Sequence, residues 1–249
     1  MSDDVEVPES HPRYESLLTR HRIEAGVDRG ITSRQGLIAQ GRGEAFDYLL
    51  GERTIDSADR AERAAAAHLL SADHAVISVN GNAAALVPGE LVELAEATGA
   101  DLEVNLFNRT EERIEAIAEY LREHGASEVK GLIADGRIPG LDHERAKVDA
   151  DGIGDADVVL VPLEDGDRAE ALGEMGKTEL VVDLNPRSRS AEVAAVPIVD
   201  NIIRAVPNVT EHARALRGDA EAQRAAIEDF DADSARADAE RTIREGDLE

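Results

Sequence analysis

A short apolar run followed by a polar, arginine-containing turn is the part of this chain best suited to chemistry. The run covers residues 180–184, and Pro186 stops it as a strand. The turn carries an acid, an amide and two arginines: Asp183, Asn185, Arg187 and Arg189. This pattern indicates a strand that feeds a loop able to hold an anion at the carboxyl edge of a sheet. The alternative is a polar turn with surface arginines.

The alternation of side chains along the strand suggests roles within this turn. Asp183 and Asn185 point to the side opposite Leu184, so Asn185 can contact the polar edges of a ligand. Arg189 can hold phosphate oxygens with two parallel hydrogen bonds. A second strand end closes on Asp200 and Asn201. The two ends lie near each other if the strand order is local, and together they predict one nucleotide pocket.

A loop over residues 135–147 concentrates cations in an acidic chain. It contains three cations and one histidine: Arg137, His143, Arg145 and Lys147. Lys147 is one of only three lysines in the chain. We expect this loop to bind a phosphate or a carboxylate. The alternative is a solvated loop whose cations pair with neighbouring acids.

Two glycine-containing segments differ in how well they suit anion binding. Residues 80–82, Asn-Gly-Asn, follow a strand and precede a helical stretch, so their backbone amides can face an anionic ligand, or they form an ordinary tight turn. Gly176-Lys177-Thr178 is no phosphate loop, because Ala171 occupies the position of the first glycine and the segment follows a helix and opens a strand. The chain has no G-x-G-x-x-G motif, which disfavours a dinucleotide-dependent oxidoreductase.

The composition is strongly acidic, with 53 Asp and Glu against 27 Lys and Arg and a net charge of -26. This charge disfavours nucleic-acid binding, because phosphates are repelled. Hydrated carboxylates and scarce lysine predict a halophilic cytosol, where molar salt reduces the Debye length to about 3 Å. The net charge then reports habitat rather than partner.

Other features bound the location and the chemistry. The absence of cysteine excludes disulfides, thiolate metal sites and a cysteine nucleophile. The acidic N-terminus has no apolar segment typical of a signal peptide, and no apolar run approaches the ~20 residues that span a bilayer. We expect a cytoplasmic protein without a membrane partner and without a dedicated protein-bound metal.

Apolar periodicity predicts an α/β fold, with a Rossmann-like, mostly parallel sheet and an N-terminal helical lead-in. Residues 1–72 form the N-terminal helical segment, which begins with an extended arm over residues 1–12. Residues 73–217 form the nucleotide-binding core. Residues 218–249 form an acidic tail, which we expect to be partly helical and weakly packed. Strands are predicted over 75–79, 102–107, 129–134, 157–163, 179–184 and 195–199.

Many ordered segments between residues 6 and 217 resemble the archaeal 4-phosphopantoate–β-alanine ligase family, also called phosphopantothenate synthetases. The resemblance is carried by HPRYESLL, ITSRQGLIAQGRGEAFDYLLGE, SVNGNAAALVP, NLFNRTEERIEAI, RIPGLDHERAKVD, VPLEDGDRAEAL, DLNPRSRS and IVDNI. The acidic tail lies outside it. A resemblance over so many segments is more specific than any single motif above.

The resemblance implies a homodimeric ligase of coenzyme A biosynthesis. Such an enzyme joins 4-phosphopantoate to β-alanine and converts ATP, with Mg²⁺, to AMP and pyrophosphate. The family's nucleotide-binding positions match Arg20, Arg42, Asp183, Leu184, Asn185, Arg189, Ser190, Asn201 and Ile202. Arg187 and Ser190 depart from an aliphatic residue and a threonine that are more usual there.

Arg137, His143 and Lys147 are the candidates for holding the phosphate of phosphopantoate or the charge that develops during reaction. Two other classes of function remain open. One is a non-catalytic nucleotide-binding regulatory protein that uses the same pocket, and the other, less favoured, is an α/β oxidoreductase.

Overall fold

A computed structural model describes residues 8, 10, 11, 13–162 and 166–246. Its helices are α1 (Tyr14–Asp28), α2 (Arg34–Leu50), α3 (Asp56–Ser71), α4 (Gly81–Leu86), α5 (Pro88–Thr98), α6 (Glu111–Glu123), α7 (Gly166–Glu174), α8 (Arg189–Val193), α9 (Ile202–Leu216), α10 (Ala220–Glu228) and α11 (Ala232–Glu245). Its strands are β1 (Ala75–Val79), β2 (Asp101–Val104), β3 (Gly136–Arg137), β4 (Lys147–Val148), β5 (Val158–Pro162), β6 (Thr178–Val182) and β7 (Val196–Ile198).

Five strands form one parallel sheet in the order β2-β1-β5-β6-β7. Every residue of β1 and β5 is buried, which explains their continuous apolar sequences, because helices cover both faces. After β1 the chain forms β2 on one side of this strand, and it later returns to form β5 on the other side. The predicted α/β fold with a parallel sheet and an N-terminal helical segment is therefore confirmed, and the strand order reverses between β1 and β5.

Some local predictions were wrong. The strand expected over residues 129–134 is absent, since Lys130 makes only a single bridge to Glu103. The short antiparallel pair β3–β4 occurs instead, with Arg137 opposite Lys147. The helices α4 and α8 were not predicted, because each has only five or six residues. The predicted strand end at Leu163 and most of the predicted arm over residues 1–12 lie outside the described residues.

The helix α2 crosses the carboxyl edge of the sheet. It begins at the cap Ser33, whose side chain accepts a hydrogen bond from the backbone of Gly36. Near its start, Gly36 lies so close to α4 that a Cβ atom there would collide with Asn82 Oδ1. Further along, a Cβ at Gly43 would lie 3.4 Å from Leu184, which follows β6.

The C-terminal segment is ordered into two helices where the structure describes it. The helices α10 and α11 pack against α3, and α11 also contacts α2. Ala235 and Ala239 of α11 are 3% and 0% exposed, so this helix packs more firmly than the sequence suggested. The division of the chain at residues 72 and 217 stays a prediction. No helix in the described part of the chain is long and apolar enough to cross a membrane.

Candidate functional site

A cavity of about 300 Å³ lies at the carboxyl end of β1, beside the position where the strand order reverses. We call it the β1 cavity. Its walls come from α2, the start of α4, the segment after β2, and α6: Ser33, Gln35, Gly36, Ala39, Arg42, Asn80, Gly81, Asn82, Leu106, Phe107, Asn108, Arg113 and Arg145. Three arginines in so small a cavity favour an anionic ligand.

The guanidinium of Arg113 is fixed by backbone carbonyls. It donates to the carbonyl oxygens of Ile31 at 2.9 Å and Asn108 at 2.5 Å. Its Nε is buried and has no hydrogen-bond partner among the described residues. Burial lowers the pKa of Arg113, although an arginine stays protonated at neutral pH. Because carbonyls carry no net charge, Arg113 keeps a full positive charge in the cavity wall.

The Asn80-Gly81-Asn82 segment forms the start of α4. Asn80 caps this helix by accepting a hydrogen bond from Ala83, while its amide nitrogen donates to the carbonyl of Pro162 at 2.6 Å and so joins the ends of β1 and β5. Asn82 donates to the carbonyl of Gly36 at 2.9 Å. The asparagines therefore build the walls of the β1 cavity, which is more than an ordinary turn requires.

The cation-rich loop divides between two places. Arg137 and Lys147 are cross-strand neighbours. Lys147 binds Glu144 at 2.8 Å, and the charges of Arg137 and Arg109 also act on this carboxylate. These cations lower the pKa of Glu144, chiefly through the hydrogen bond from Lys147.

His143 lies on the other side of the loop. Its Nε2 is 3.2 Å from Asp167 Oδ2, and its ring contacts Phe107, which lines the β1 cavity. Of the four basic residues in this loop, Arg145 lines the cavity. Of the loop residues predicted from sequence, His143 touches the cavity wall through Phe107, Arg137 and Lys147 lie by Glu144, and the cavity is entered by Arg145, which was not selected as a site residue.

The second group of predicted residues lies at the carboxyl ends of β6 and β7, below the middle and end of α2. We call Asp183, Leu184, Asn185, Asn201 and Ile202 the strand-end cluster. Burial raises the pKa of Asp183, and the charge of Arg42 on α2 partly offsets this. Asn201 donates to Asp47 Oδ2 at 2.7 Å, again on α2. Leu184 and Ile202 are 7% and 5% exposed and fix the cluster to the core.

The remaining predicted arginines lie near the strand-end cluster but have carboxylate partners. Arg20 of α1 binds Glu44 of α2 with two nitrogens, at 2.7 to 3.1 Å. This hydrogen bond raises the pKa of Arg20. Arg189 pairs with Glu170 of α7 at 3.1 Å, and it is 64% exposed.

Two further residues of the turn differ in exposure. Arg187 pairs with Glu240 of α11 at 3.0 Å and is also 64% exposed. Ser190 is 3% exposed, at the start of α8. The arginines near the strand-end cluster are thus paired with carboxylates. Each of them must release its carboxylate before it can bind a phosphate.

Sequence reasoning missed several residues of this edge. Arg113 had no signal beyond its place on a helix face, and Asp47 and Arg204 looked like ordinary surface charges. Arg204 binds both Asp47 and Asp200, at 2.5 and 2.6 Å. Only the packing of α2 and α9 reveals this pairing.

Comparison with known proteins identifies the relatives of the chain. The family model described as phosphopantothenate/pantothenate synthetase matches residues 57–246. This match includes most of the acidic tail, which the sequence analysis had left outside the resemblance. It covers the sheet, the β1 cavity except its α2 wall, and the whole strand-end cluster.

Three curated relatives carry the name 4-phosphopantoate–beta-alanine ligase. The protein of Thermococcus kodakarensis is 61% identical over 214 residues, which are 86% of this chain and 82% of the relative. That of Methanosarcina mazei is 57% identical over 85% of this chain and 83% of the relative. That of Methanospirillum hungatei is 54% identical over 86% and 87%.

Proposed function

Because the chain belongs to the phosphopantothenate/pantothenate synthetase family, we propose that it is an ATP-dependent ligase of coenzyme A biosynthesis. It joins 4-phosphopantoate to β-alanine and forms 4'-phosphopantothenate, AMP and pyrophosphate. The observation that carries this proposal is an identity of 54 to 61% to relatives named for this ligation, over 85 to 86% of the chain.

The reaction has two steps, and both atoms and charge balance. The carboxylate of 4-phosphopantoate attacks the α-phosphorus of ATP, an acyl-adenylate forms, and pyrophosphate leaves. The amine of β-alanine then attacks the acyl carbon, the amide forms, AMP leaves, and the amine loses a proton. Arginines stabilise the negative charge of the first step, and holding both substrates in one cleft supplies much of the rate.

We assign ATP to the strand-end cluster. The nucleoside lies against Asp183, Leu184, Asn185, Asn201 and Ile202, and the phosphates lie against Arg20, Arg42, Arg189 and Ser190. Support comes from α2, which brings Arg42 to Asp183 and Asp47 to Asn201. Arg20 and Arg189 reach phosphate when they release Glu44 and Glu170.

We assign the phosphate of 4-phosphopantoate to the cationic side of the edge. Arg113 and Arg145 of the β1 cavity receive it, with Arg137, His143 and Lys147 as the outer group that holds the phosphate or the developing charge. The cavity volume of about 300 Å³ suits a small acid at the lower end of ligand pockets. With its phosphate in the cavity, the rest of phosphopantoate then lies beside Arg42 and extends toward the ATP.

The finer properties belong to the same proposal. Mg²⁺ accompanies ATP, because it prefers oxygen ligands and phosphates to a full protein cage, and the oxygens of Asp183 and Asn185 suit it chemically. We assign no residue as a dedicated metal ligand. The enzyme acts as a homodimer in a halophilic cytoplasm, in line with the net charge of -26.

One assay tests the activity. The chain is incubated in molar KCl with ATP, Mg²⁺, 4-phosphopantoate and β-alanine, and AMP is followed. AMP that requires both acids supports the ligase. ATP binding without AMP supports the regulatory alternative, and nicotinamide turnover without AMP supports the oxidoreductase.

The outer cationic group has its own test. Lys147→Ala is expected to raise the KM for 4-phosphopantoate about tenfold, since one charge-assisted contact is lost. Lys177→Ala is a matched control, because Lys177 donates to the carbonyls of Gly154 and Ala156 away from the cavity. Unchanged activity and phosphopantoate affinity in Lys147→Ala refute the assignment of Lys147.

A further inference from the structure

Asn201 is held in place by two carboxylates that share one arginine. Its side-chain nitrogen donates to Asp47 Oδ2 at 2.7 Å, and its backbone N–H donates to Asp200 Oδ1 at 2.7 Å. Arg204 binds the same two carboxylates, at 2.5 Å to Asp47 and 2.6 Å to Asp200. The position of Asn201 therefore depends on both acids.

Asp200 is also held from the interior, where it is 1% exposed. Its second oxygen accepts a hydrogen bond from Thr54 Oγ1 at 2.6 Å. Asn208 of α9 donates to Thr54 Oγ1 at 3.1 Å and to Glu62 Oε2 at 3.0 Å. Glu62 of α3 is fully buried and forms the inner end of this polar chain.

The other oxygen of Glu62 meets no donor among the described residues, and the carboxyl group lies against that of Asp200. Two carboxyl groups in contact repel each other strongly when both are ionised. Burial and the charge of Asp200 raise the pKa of Glu62 to about 9. At neutral pH Glu62 is thus a hydrogen-bond donor.

The charged groups around Glu62 agree with this assignment. Asp59, one turn earlier on α3, is exposed and lies 3.0 Å from His212 of α9, and its charge also raises the pKa of Glu62. From α11, Asp238 pairs with Arg60. Arg204 of α9 binds Asp47 and Asp200. The basic residues His212, Arg60 and Arg204 thus have carboxylate partners of their own. Asp200 is the neighbour toward which the unpartnered oxygen of Glu62 can donate.

We propose that Glu62 is a positioning residue for the nucleotide, which donates a hydrogen bond to Asp200 and thereby fixes Asn201 and the first turn of α9. This role rests on the proposed function, in which Asn201 and Ile202 contact ATP. Glu62 itself is fully buried and touches no substrate. When Glu62 ionises, repulsion between the two carboxylates displaces Asp200, and the start of α9 loses its support.

The test measures ATP affinity by titration calorimetry with Mg²⁺ in molar KCl. We compare the full chain with Glu62→Gln, which donates to Asp200 at every pH, and with Glu62→Leu, which donates nothing. Asp56→Asn, in the exposed first turn of the same helix, is the control. Thermal unfolding of each variant verifies that it folds.

At neutral pH, Glu62→Gln is expected to bind ATP within about twofold of the unsubstituted chain, and Glu62→Leu about tenfold more weakly. Between pH ~7 and ~10, the unsubstituted chain and Asp56→Asn lose at least about fivefold more affinity than Glu62→Gln.

The positioning role is overturned if Glu62→Gln binds as poorly as Glu62→Leu, or if its alkaline profile matches that of the unsubstituted chain. If Glu62→Leu fails to fold, the alkaline comparison alone decides. Absence of ATP binding by the unsubstituted chain overturns the nucleotide site and this role together. ATP binding without AMP formation overturns the ligase activity and leaves the Glu62 comparison intact.

Discussion

The two halves of the carboxyl edge hold their arginines in different ways. In the β1 cavity, Arg113 is fixed by the carbonyls of Ile31 and Asn108. Near the strand-end cluster, Arg20 and Arg204 are fixed by carboxylates. A guanidinium held by carbonyls keeps its charge for a ligand, whereas one held by carboxylates is already neutralised.

This difference suggests a division of labour. In the proposed function, the cavity presents the charge of Arg113 to a small dianion, and little must move when that ligand binds. The strand-end cluster would present mixed charge to a nucleotide, and its arginines would have to exchange partners. In a chain with a net charge of -26, an arginine held by carbonyls keeps its immediate surroundings positive.

Arg113→Gln is expected to have the largest effect, because it removes the carbonyl-held charge. We expect the KM for 4-phosphopantoate to rise about 100-fold, while the Kd for ATP changes less than about threefold. Steady-state kinetics and calorimetry measure the two values. Arg22→Gln is the matched control, since Arg22 donates to the carbonyl of Leu86 outside the cavity. Equal losses for both substrates contradict the division between the halves.

The close approach of α2 and α4 forms the cavity, and Gly36 permits it. Gly36→Ala is expected to cost about 2 kcal/mol in free energy of unfolding, because the new methyl collides with Asn82 and the helices must separate. On the same helix, a Cβ at Gly41 meets nothing within 4 Å, so Gly41→Ala is expected to stabilise by up to about 1 kcal/mol. Chemical denaturation measures both, and similar changes in the two variants contradict the packing argument.

A buried carboxyl group beneath the cavity side adds a pH dependence. Glu103 of β2 accepts hydrogen bonds from the backbone of Asp149 and Ile153, and burial raises its pKa from 4.5 to about 7. Between these values the folded chain holds a proton that the unfolded chain has lost. Stability therefore falls as pH rises through this window, by about 1 kcal/mol per pH unit.

Glu103→Gln is expected to reduce the slope by about 1 kcal/mol per pH unit and to leave the part that Glu62 contributes, while losing one backbone acceptor, which lowers stability at pH ~5 by about 1 to 3 kcal/mol. Denaturation at a series of pH values measures the slope. Glu115→Gln, on the exposed face of α6, is the control and keeps the slope. A slope that is unchanged in Glu103→Gln assigns the pH dependence to other groups.

Arg187 is expected to have the smallest effect. Its pair with Glu240 is mostly exposed, so Arg187→Ala should change the free energy of unfolding by less than about 1 kcal/mol. The Kd for ATP should stay within about twofold. A large loss of ATP affinity would move Arg187 into the phosphate-binding group and reduce the contrast between the halves.

The sequence predicted the strand ends well because polar residues interrupt apolar runs there. Asn80 follows β1 and Asn201 lies beyond β7 as expected, whereas β6 ends at Val182, two residues before the predicted end, and β2 ends at Val104, three residues before its predicted end. Short elements were less predictable. The helix α4 has six residues, too few for a periodic signal, and the segment over 129–134 has strand-like composition but makes only one bridge.

Side-chain partners were beyond the sequence. His143, Arg145 and Lys147 are adjacent in the chain, yet they face Asp167, the β1 cavity and Glu144 respectively. Their directions depend on how the loop packs on Asn105, which donates to the carbonyls of Arg145 and Lys147.

The sequence by itself determined the fold class, the family and the polar strand ends, because local propensity and residue pattern are written along the chain. Only the tertiary structure decided that α2 spans the edge, that Arg113 and Arg145 enter the cavity, and that Glu62 is buried against Asp200. Glu62 lies in a charged, alanine-rich helix where an acid reads as a surface residue. Its burial and its neighbours exist only after α3, α9 and the end of β7 have packed together.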